Sequence, residues 1–286
     1  MMRKSARRSL LFAPAHHPGL FAKAVAKGAD IVCIECEDAV PAHKKAEARA
    51  EMISLLSSPS PERDTGYERI VRINALDTEE GQADLQAICT HRLAPDAILL
   101  PKIDTAGQLS GVADRLDAAG VRCELMALIE TALGLEHVAD IATSTDRLSL
   151  LLFGGVDLSC ELGCEMSWMA LLYARQRTIH AAALASLEVL DMPHVNITSL
   201  HEVAEEAAKA RAIGFTGKAA IHPAQLESIH QAYSPTQQQI QYAQDIITAC
   251  NKAEGGAALF DGKLIEKPVQ AQAQSVLDKA DMLGLI

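Results

Sequence analysis

The sequence predicts an α/β fold, a (β/α)8 barrel followed by a C-terminal helix–hairpin–helix extension. Three observations predict it. Eight strand-like runs alternate with helical segments over about 230 residues. The first run leads into Phe12-Ala13-Pro14-Ala15-His16, which lacks the glycine fingerprint that a doubly wound sheet usually carries there. The runs end on ionisable residues, at the end of the strands where such barrels build their sites.

The candidate strands are 8–13, 31–36, 69–74, 97–102, 122–129, 148–154, 187–191 and 217–221. Helical segments between them include 44–56, 79–91, 105–119 and 198–213. Asp77 or Thr78, and Thr198 or Ser199, are suited to capping helix starts. Gly214 stands where a helix stop belongs. After the eighth strand, 235–251 reads as a helix, 255–266 as a hairpin turning at Asp261-Gly262, and 268–282 as a last helix. No Gly- or Ser-rich linker interrupts the chain. Residues 1–232 are therefore expected to form the catalytic barrel. Residues 233–286 are expected to form an extension that covers the site of a neighbouring subunit.

Composition narrows the class. The chain of 286 residues is 49% hydrophobic and only 3% aromatic, so its core must be aliphatic. A formal charge of −11 disfavours nucleic-acid binding, which needs basic surface. Seven cysteines, an odd number in a long chain, argue against a disulfide framework. Cys33 and Cys36 fall on opposite faces of a strand, so they read as buried small hydrophobes rather than zinc ligands. No apolar run reaches the ~18 residues of a membrane span. Met1 to Arg8 is basic, but a strand follows at once and leaves too little for a presequence. A cytoplasmic location is expected.

The chemistry collects at the strand ends. Glu35-Cys36-Glu37-Asp38 closes the second strand, Arg72-Ile73-Asn74 the third and Pro101-Lys102 the fourth. Glu130, Asp157, Asp191 and His222-Pro223 close the fifth to eighth. A solvated loop explains any single charge, but not seven consecutive ends. Glu130 and Asp157 end neighbouring strands and would lie side by side, as hard divalent cations such as magnesium require. Lys102 reads as a charge-balancing residue rather than a Schiff-base lysine.

These stretches resemble the citrate lyase β-subunit/malyl-CoA (citramalyl-CoA) lyase family of the HpcH/HpaI aldolase superfamily. The matching residues are Arg8-Ser9-Leu10-Leu11-Phe12-Ala13-Pro14, Glu37-Asp38-Ala39-Val40-Pro41 with Lys44 and Ala48-Arg49, and Val71-Arg72-Ile73-Asn74. Further along come Leu100-Pro101-Lys102, Ile129-Glu130-Thr131-Ala132-Leu133-Gly134 and Phe153-Gly154-Gly155-Val156-Asp157. The run from Gly214 to Gln225 and Gly262-Lys263-Leu264-Ile265-Glu266 complete the set.

The resemblance implies a TIM barrel assembled as a homotrimer or homohexamer, with magnesium on Glu130 and Asp157. It implies cleavage of a 3-hydroxyacyl-CoA into an acyl-CoA and a 2-oxo acid, glyoxylate or pyruvate. Arg72 is the natural cation for the enolate oxygen of the thioester; an ion pair with Glu37 or Asp38 is its compatible structural reading. Glu37 and Asp38 could hold metal-bound waters. Backbone N–H groups around Gly155, Val156 and Asp157 could cradle the acid's carboxylate. The resemblance also puts Asp191 near the substrate, and Phe12, His17, Lys23, Ile221 and His222 near CoA. Lys23 reads equally as a solvated helix lysine, and His222 as a loop-fixing histidine. Glu35 stands where the family has Asp. Glu266 replaces an Asp that many members donate to a neighbouring subunit as general acid/base. Two alternatives stand beside the CoA lyase. One is a citrate lyase β-subunit acting on a carrier-bound thioester, the other a non-catalytic scaffold barrel.

Overall fold

A computed structural model describes residues 6–57, 66–253 and 258–286. Eight parallel strands close into a barrel in sequence order. They are β1 (Ser9–Pro14), β2 (Ile31–Glu35), β3 (Glu68–Arg72), β4 (Ala97–Leu100), β5 (Glu124–Ile129), β6 (Leu148–Phe153), β7 (Glu188–Asp191) and β8 (Gly217–Ala220). The outer layer begins with α1 (Pro18–Ala26), α2 (Lys45–Ser57), α3 (Glu79–Thr90) and α4 (Ala106–Ala119). Two short helices, α5 (Ala132–Glu136) and α6 (Val138–Ala142), join β5 to β6. Then come α7 (Gly155–Leu162), α8 (Leu172–Leu184), α9 (Leu200–Ile213) and α10 (Leu226–Tyr233).

The expected closed barrel is present, and its interior is filled rather than hollow. Leu10, Ile31, Cys33, Ile70, Leu99, Met126, Leu150 and Leu190 meet inside it. Side chains from alternate strands stack there in layers. β2, β3, β4, β6 and β8 stop one or two residues earlier than their apolar runs suggest, β5 and β7 stop where expected, and β1 runs one residue further. Asn74 and Lys102 therefore stand on the loops just past the strands, as do Glu37, Asp38 and His222. Lys102 marks one stop clearly, since its φ of 51° is left-handed and ends the extended backbone.

Helix ends follow local chemistry. Thr78, not Asp77, caps α3 by accepting from the Gly81 N–H. Ser199 takes the cap position of α9 without a side-chain bond. Gly214 closes α9 at φ 119°.

Under the β2 and β3 ends lies a buried polar brace. Asp84 accepts from Arg49 Nε at 2.6 Å, from Asn74 N–H at 3.0 Å and from Asn74 Nδ2 at 2.7 Å. Lys45 Nζ donates to Asn74 Oδ1 at 2.6 Å, to the Cys36 carbonyl at 3.0 Å and to the Glu37 carbonyl at 2.7 Å. The inward lysine is thus Lys45, not Lys44; Lys44 lies 3.8 Å from Glu47 on the surface. Asp84→Ala leaves Asn74 without its acceptor and Arg49 with Glu80 alone, and about 3 kcal/mol of stability is expected to go with it. Urea unfolding measures this, and a loss under about 1 kcal/mol would show that the brace is dispensable.

The chain divides into two compact units, Arg7–Ala232 and one built on Tyr233–Ile286. The second holds α11 (Gln237–Lys252), β9 (Ala258–Phe260), β10 (Lys263–Ile265) and α12 (Lys267–Met282). Ala243 and Ile246 of α11 pack on Ala273 of α12, with Phe260 and Ile265 at the edge. Asp261 and Gly262 both have positive φ, as a two-residue hairpin turn demands. Residues 255–257 of the expected hairpin lie outside the described residues.

Candidate active site

The strand ends enclose a cavity of about 380 Å³. Phe12, Asp38, Arg72, Glu130, Gly155, Val156, Asp157 and Ile221 line it, together with Glu35. Eight of the residues singled out in the sequence thus meet in one place.

Arg72 is held by its neighbours. The β2–β3 register puts Glu35 opposite Arg72, and Arg72 Nε donates to the fully buried Glu35 carboxylate. Its Nη1 lies 3.0 Å from Glu37 and 3.5 Å from Asp38. The guanidinium also sits over the Phe12 ring, 4.9 Å from its centroid. Burial alone would lower its pKa, but Glu35 and Glu37 outweigh burial and raise it. Burial also pushes the Glu35 and Glu37 carboxyls up, while Arg72 pulls both back.

Glu130 is 3% exposed, and its carboxyl is pushed up to about 9. Burial is the main cause, followed by the negative charges of Glu37 and Asp157. One oxygen accepts from the Lys102 N–H at 2.9 Å. Lys102 adopts its unusual backbone to aim that amide, and its ammonium reaches Glu37 Oε1 at 2.9 Å. After Glu130, Thr131 caps α5 by accepting from Gly134 N–H and donates to Asp104. A side chain at Gly134 would run into the Ile103 carbonyl. Gly154 is required too, because a Cβ there would overlap Glu130 Cβ and stand 3.0 Å from its Oε2.

These donors fit a hard divalent cation. The cavity is lined by Glu35, Asp38, Glu130 and Asp157 against Arg72, with the Glu37–Lys102 pair beside it, an excess of negative charge. Glu37 Oε2 is buried and accepts no hydrogen bond, although Arg72 Nη1 stands 3.0 Å from it. Among the described residues no three His, Cys, Asp or Glu side chains form a ready cage. Two carboxylates, with water and substrate oxygens completing the shell, match how magnesium is commonly held. Beside them, the Gly155, Val156 and Asp157 N–H groups begin α7 and have no intrahelical acceptor, so they can receive a small anion.

Several expected residues stand elsewhere. Asp191 does not line this cavity. It is fully buried, taking Arg175 Nε at 3.0 Å on one oxygen and Lys218 Nζ at 2.7 Å on the other. Glu37 is buried beside the cavity rather than lining it. His17 and Lys23 are exposed, at the start of α1 and within it. The His222 Nδ1 accepts from the Ala224 N–H at 3.2 Å, which fixes its own loop. Glu266 is the exposed N-cap residue of α12 in the second unit. Sequence reasoning missed the Glu35–Arg72 pair, although the strand register that makes it follows from aligning two short parallel strands. It also missed Lys45, Arg175 and Lys218, whose burial no local pattern announces.

Residues 8–223 match the HpcH/HpaI aldolase/citrate lyase family, and residues 169–285 match C–C bond lyases of the TIM-barrel fold. The citrate lyase subunit beta of Escherichia coli (strain K12) is 32% identical over 98% of this chain and 95% of its own length. The mitochondrial citramalyl-CoA lyase of Homo sapiens is 28% identical over 96% of this chain and 85% of its own. The crystal structure of CitE from Mycobacterium tuberculosis in complex with magnesium, acetoacetate and coenzyme A is 30% identical. It superposes with a TM-score of 0.80, covering 97% of this chain and 99% of that one. A filled eight-stranded barrel, carboxylates at its strand ends and matches along nearly the whole chain agree: this chain belongs to the HpcH/HpaI aldolase/citrate lyase family.

Proposed function

We propose that this chain is a magnesium-dependent carbon–carbon lyase. It cleaves a 3-hydroxyacyl-CoA thioester such as malyl-CoA or citramalyl-CoA into an acyl-CoA and a 2-oxo acid, glyoxylate or pyruvate. The observation that carries the reading is the meeting of Glu130, Asp157 and the buried Arg72 in one cavity, beside the free N–H groups of α7.

Glu130 and Asp157 would hold the metal, and Glu37 and Asp38 would accept from its waters. Bound magnesium would supply Lewis-acid stabilisation of the charge on the 3-hydroxyl oxygen as cleavage turns it into the oxo acid's carbonyl, and polarisation of that carbonyl in the reverse direction. The α7 N–H groups take the acid's carboxylate. Arg72 faces the thioester oxygen and stabilises the enolate that C–C cleavage leaves there. Its ties to Glu35 and Glu37 keep it oriented before substrate arrives, so little reorganisation is needed. Phe12 and Ile221 present apolar surface to CoA, and His17, Lys23 and His222 are its polar contacts near the mouth. Glu266 acts as general acid/base at a neighbouring subunit's site, which makes a homotrimer or homohexamer the active form. The cytoplasm is its compartment; among the described residues no helix is long and apolar enough to cross a membrane.

Purified protein given (S)-citramalyl-CoA or L-malyl-CoA is expected to release the 2-oxo acid only with magnesium. The ratio of the two rates names the preferred substrate. Absence of turnover with both, in a protein that binds magnesium, would overturn the reading. The similarity to the E. coli subunit favours one second reading, in which the thioester is carried by a protein; turnover only of a carrier-bound ester would select it. Gly154→Ala is expected to weaken magnesium binding at least about tenfold, because the new methyl displaces Glu130. Titration calorimetry measures this, and an unchanged affinity would remove Glu130 from the metal's ligands.

A further inference from the structure

The cavity wall against the start of α7 is the segment 192–195, from which Met192, Pro193 and Val195 border the cavity. Met192 is 4% exposed. Its Sδ packs so closely on Gly155 that a Cβ at Gly155 would stand 2.5 Å from it. Gly155 also lines the cavity and offers the first N–H of α7. The thioether therefore stands at the cavity wall beside the N–H groups that would receive a small acid.

A methionine wall is ordinarily soft, since its unbranched side chain adapts to what it meets. There is also room behind this one. Met192, Pro193, His194 and Val195 border a second cavity of about 250 Å³ on the side of Trp168 and Arg175. What keeps the backbone that carries Met192 from moving into that space is a set of polar clamps. Lys218 Nζ donates to the Met192 carbonyl at 2.7 Å while paired with Asp191. Gln225 Nε2 donates to the His194 carbonyl at 2.8 Å, and its Oε1 accepts from the Ile221 N–H at 3.0 Å. The His194 ring lies between two carboxylates of α9, 2.6 Å from Glu206 and 3.2 Å from Glu202. Glu206 in turn lies 3.4 Å from Arg175 and 3.5 Å from Lys218. Asp191 thus acts beneath the wall, through Lys218, rather than on the substrate.

We infer that Met192 sets the upper size of the 2-oxo acid, and that the Asp191–Lys218 and His194–Glu206 pairs act as positioning groups that hold it there. The inference rests on the lyase reading for the kind of acid bound. The acid series is glyoxylate, pyruvate and 2-oxobutyrate, which differ by one carbon at the position Met192 faces.

The test is calorimetric binding of the three acids to the full chain with magnesium, so the readout does not depend on turnover. The natural protein is expected to bind 2-oxobutyrate much more weakly than its best acid. Met192→Ala is expected to narrow that ratio by about tenfold, the discrimination a methylene commonly supplies. Met192→Leu keeps the volume and is expected to stay within about twofold of the natural ratio. Should Met192→Ala not fold, Met192→Val, which shortens the side chain less, carries the same comparison. A ratio unchanged in the shortened variant overturns the inference alone, as do equal affinities of the natural protein for all three acids. Binding of none of them overturns the acid class and the inference together, whereas the CoA-ester assay tests the lyase reading separately.

Discussion

Arg72→Lys is expected to lower kcat for the CoA ester by about 10²–10³-fold, the usual cost of removing one preorganised donor from a developing oxyanion. Charge is conserved in this substitution, so the loss isolates geometry. The guanidinium serves Glu35 through Nε and Glu37 and Asp38 through Nη1, while stacking on Phe12. An ammonium is a point charge and cannot hold that fork and face a substrate oxygen together. Glu35 has no solvent to turn to, so the variant also loses stability, on the order of 3 kcal/mol. Arg72→Lys with Glu35→Gln separates the two effects. Urea unfolding is expected to recover in the double variant, while kcat stays low. Recovery of both would make Arg72 a structural residue only.

The second large effect is on pH and the metal. In the metal-free protein the folded state holds a proton on Glu130 up to about pH 9, while the unfolded chain releases it near the ordinary carboxylate value of 4.5. The folded state therefore binds more protons across that window. Glu130's contribution is full below pH 4.5 and is lost as pH rises through about 9. The shift corresponds to at most about 6 kcal/mol at 1.36 kcal/mol per unit. Glu35 and Glu37, also pushed up, act in the same direction. Melting in the presence of a chelator is expected to show Tm falling by at least about 5 °C between pH 5 and 9. Glu130→Gln, which carries no charge, is expected to flatten most of that slope. Magnesium is expected to restore the natural protein most strongly at high pH, because binding displaces the proton from its ligand. A slope as steep in Glu130→Gln as in the natural chain would assign the effect to other groups.

The barrel was legible because its strands are covered on both faces and so appear as short apolar runs that local pattern can find. The ring of acids was legible for a related reason, since an apolar run that ends on a charge marks where a strand leaves the core. The pairing of those charges was not. Asp157 and Asp191 give the same local signal, an acid after an apolar strand. Asp157 opens a helix at the cavity, whereas Asp191 stays in β7 opposite Lys218 and is enclosed by Arg175. Lys44 and Lys45 are likewise adjacent and alike, yet only Lys45 turns inward to tie β2 to β3.

By itself the sequence determined the eight-fold alternation, the end of the barrel that carries chemistry, the carboxylates suited to a hard cation, and the family. All of these are written in runs of neighbouring residues. The tertiary structure decided which acid holds Arg72, which acid is walled off, and that Met192 borders the cavity. Those depend on strand register and on burial among residues far apart in the chain, where a charge or a thioether takes its role from what surrounds it.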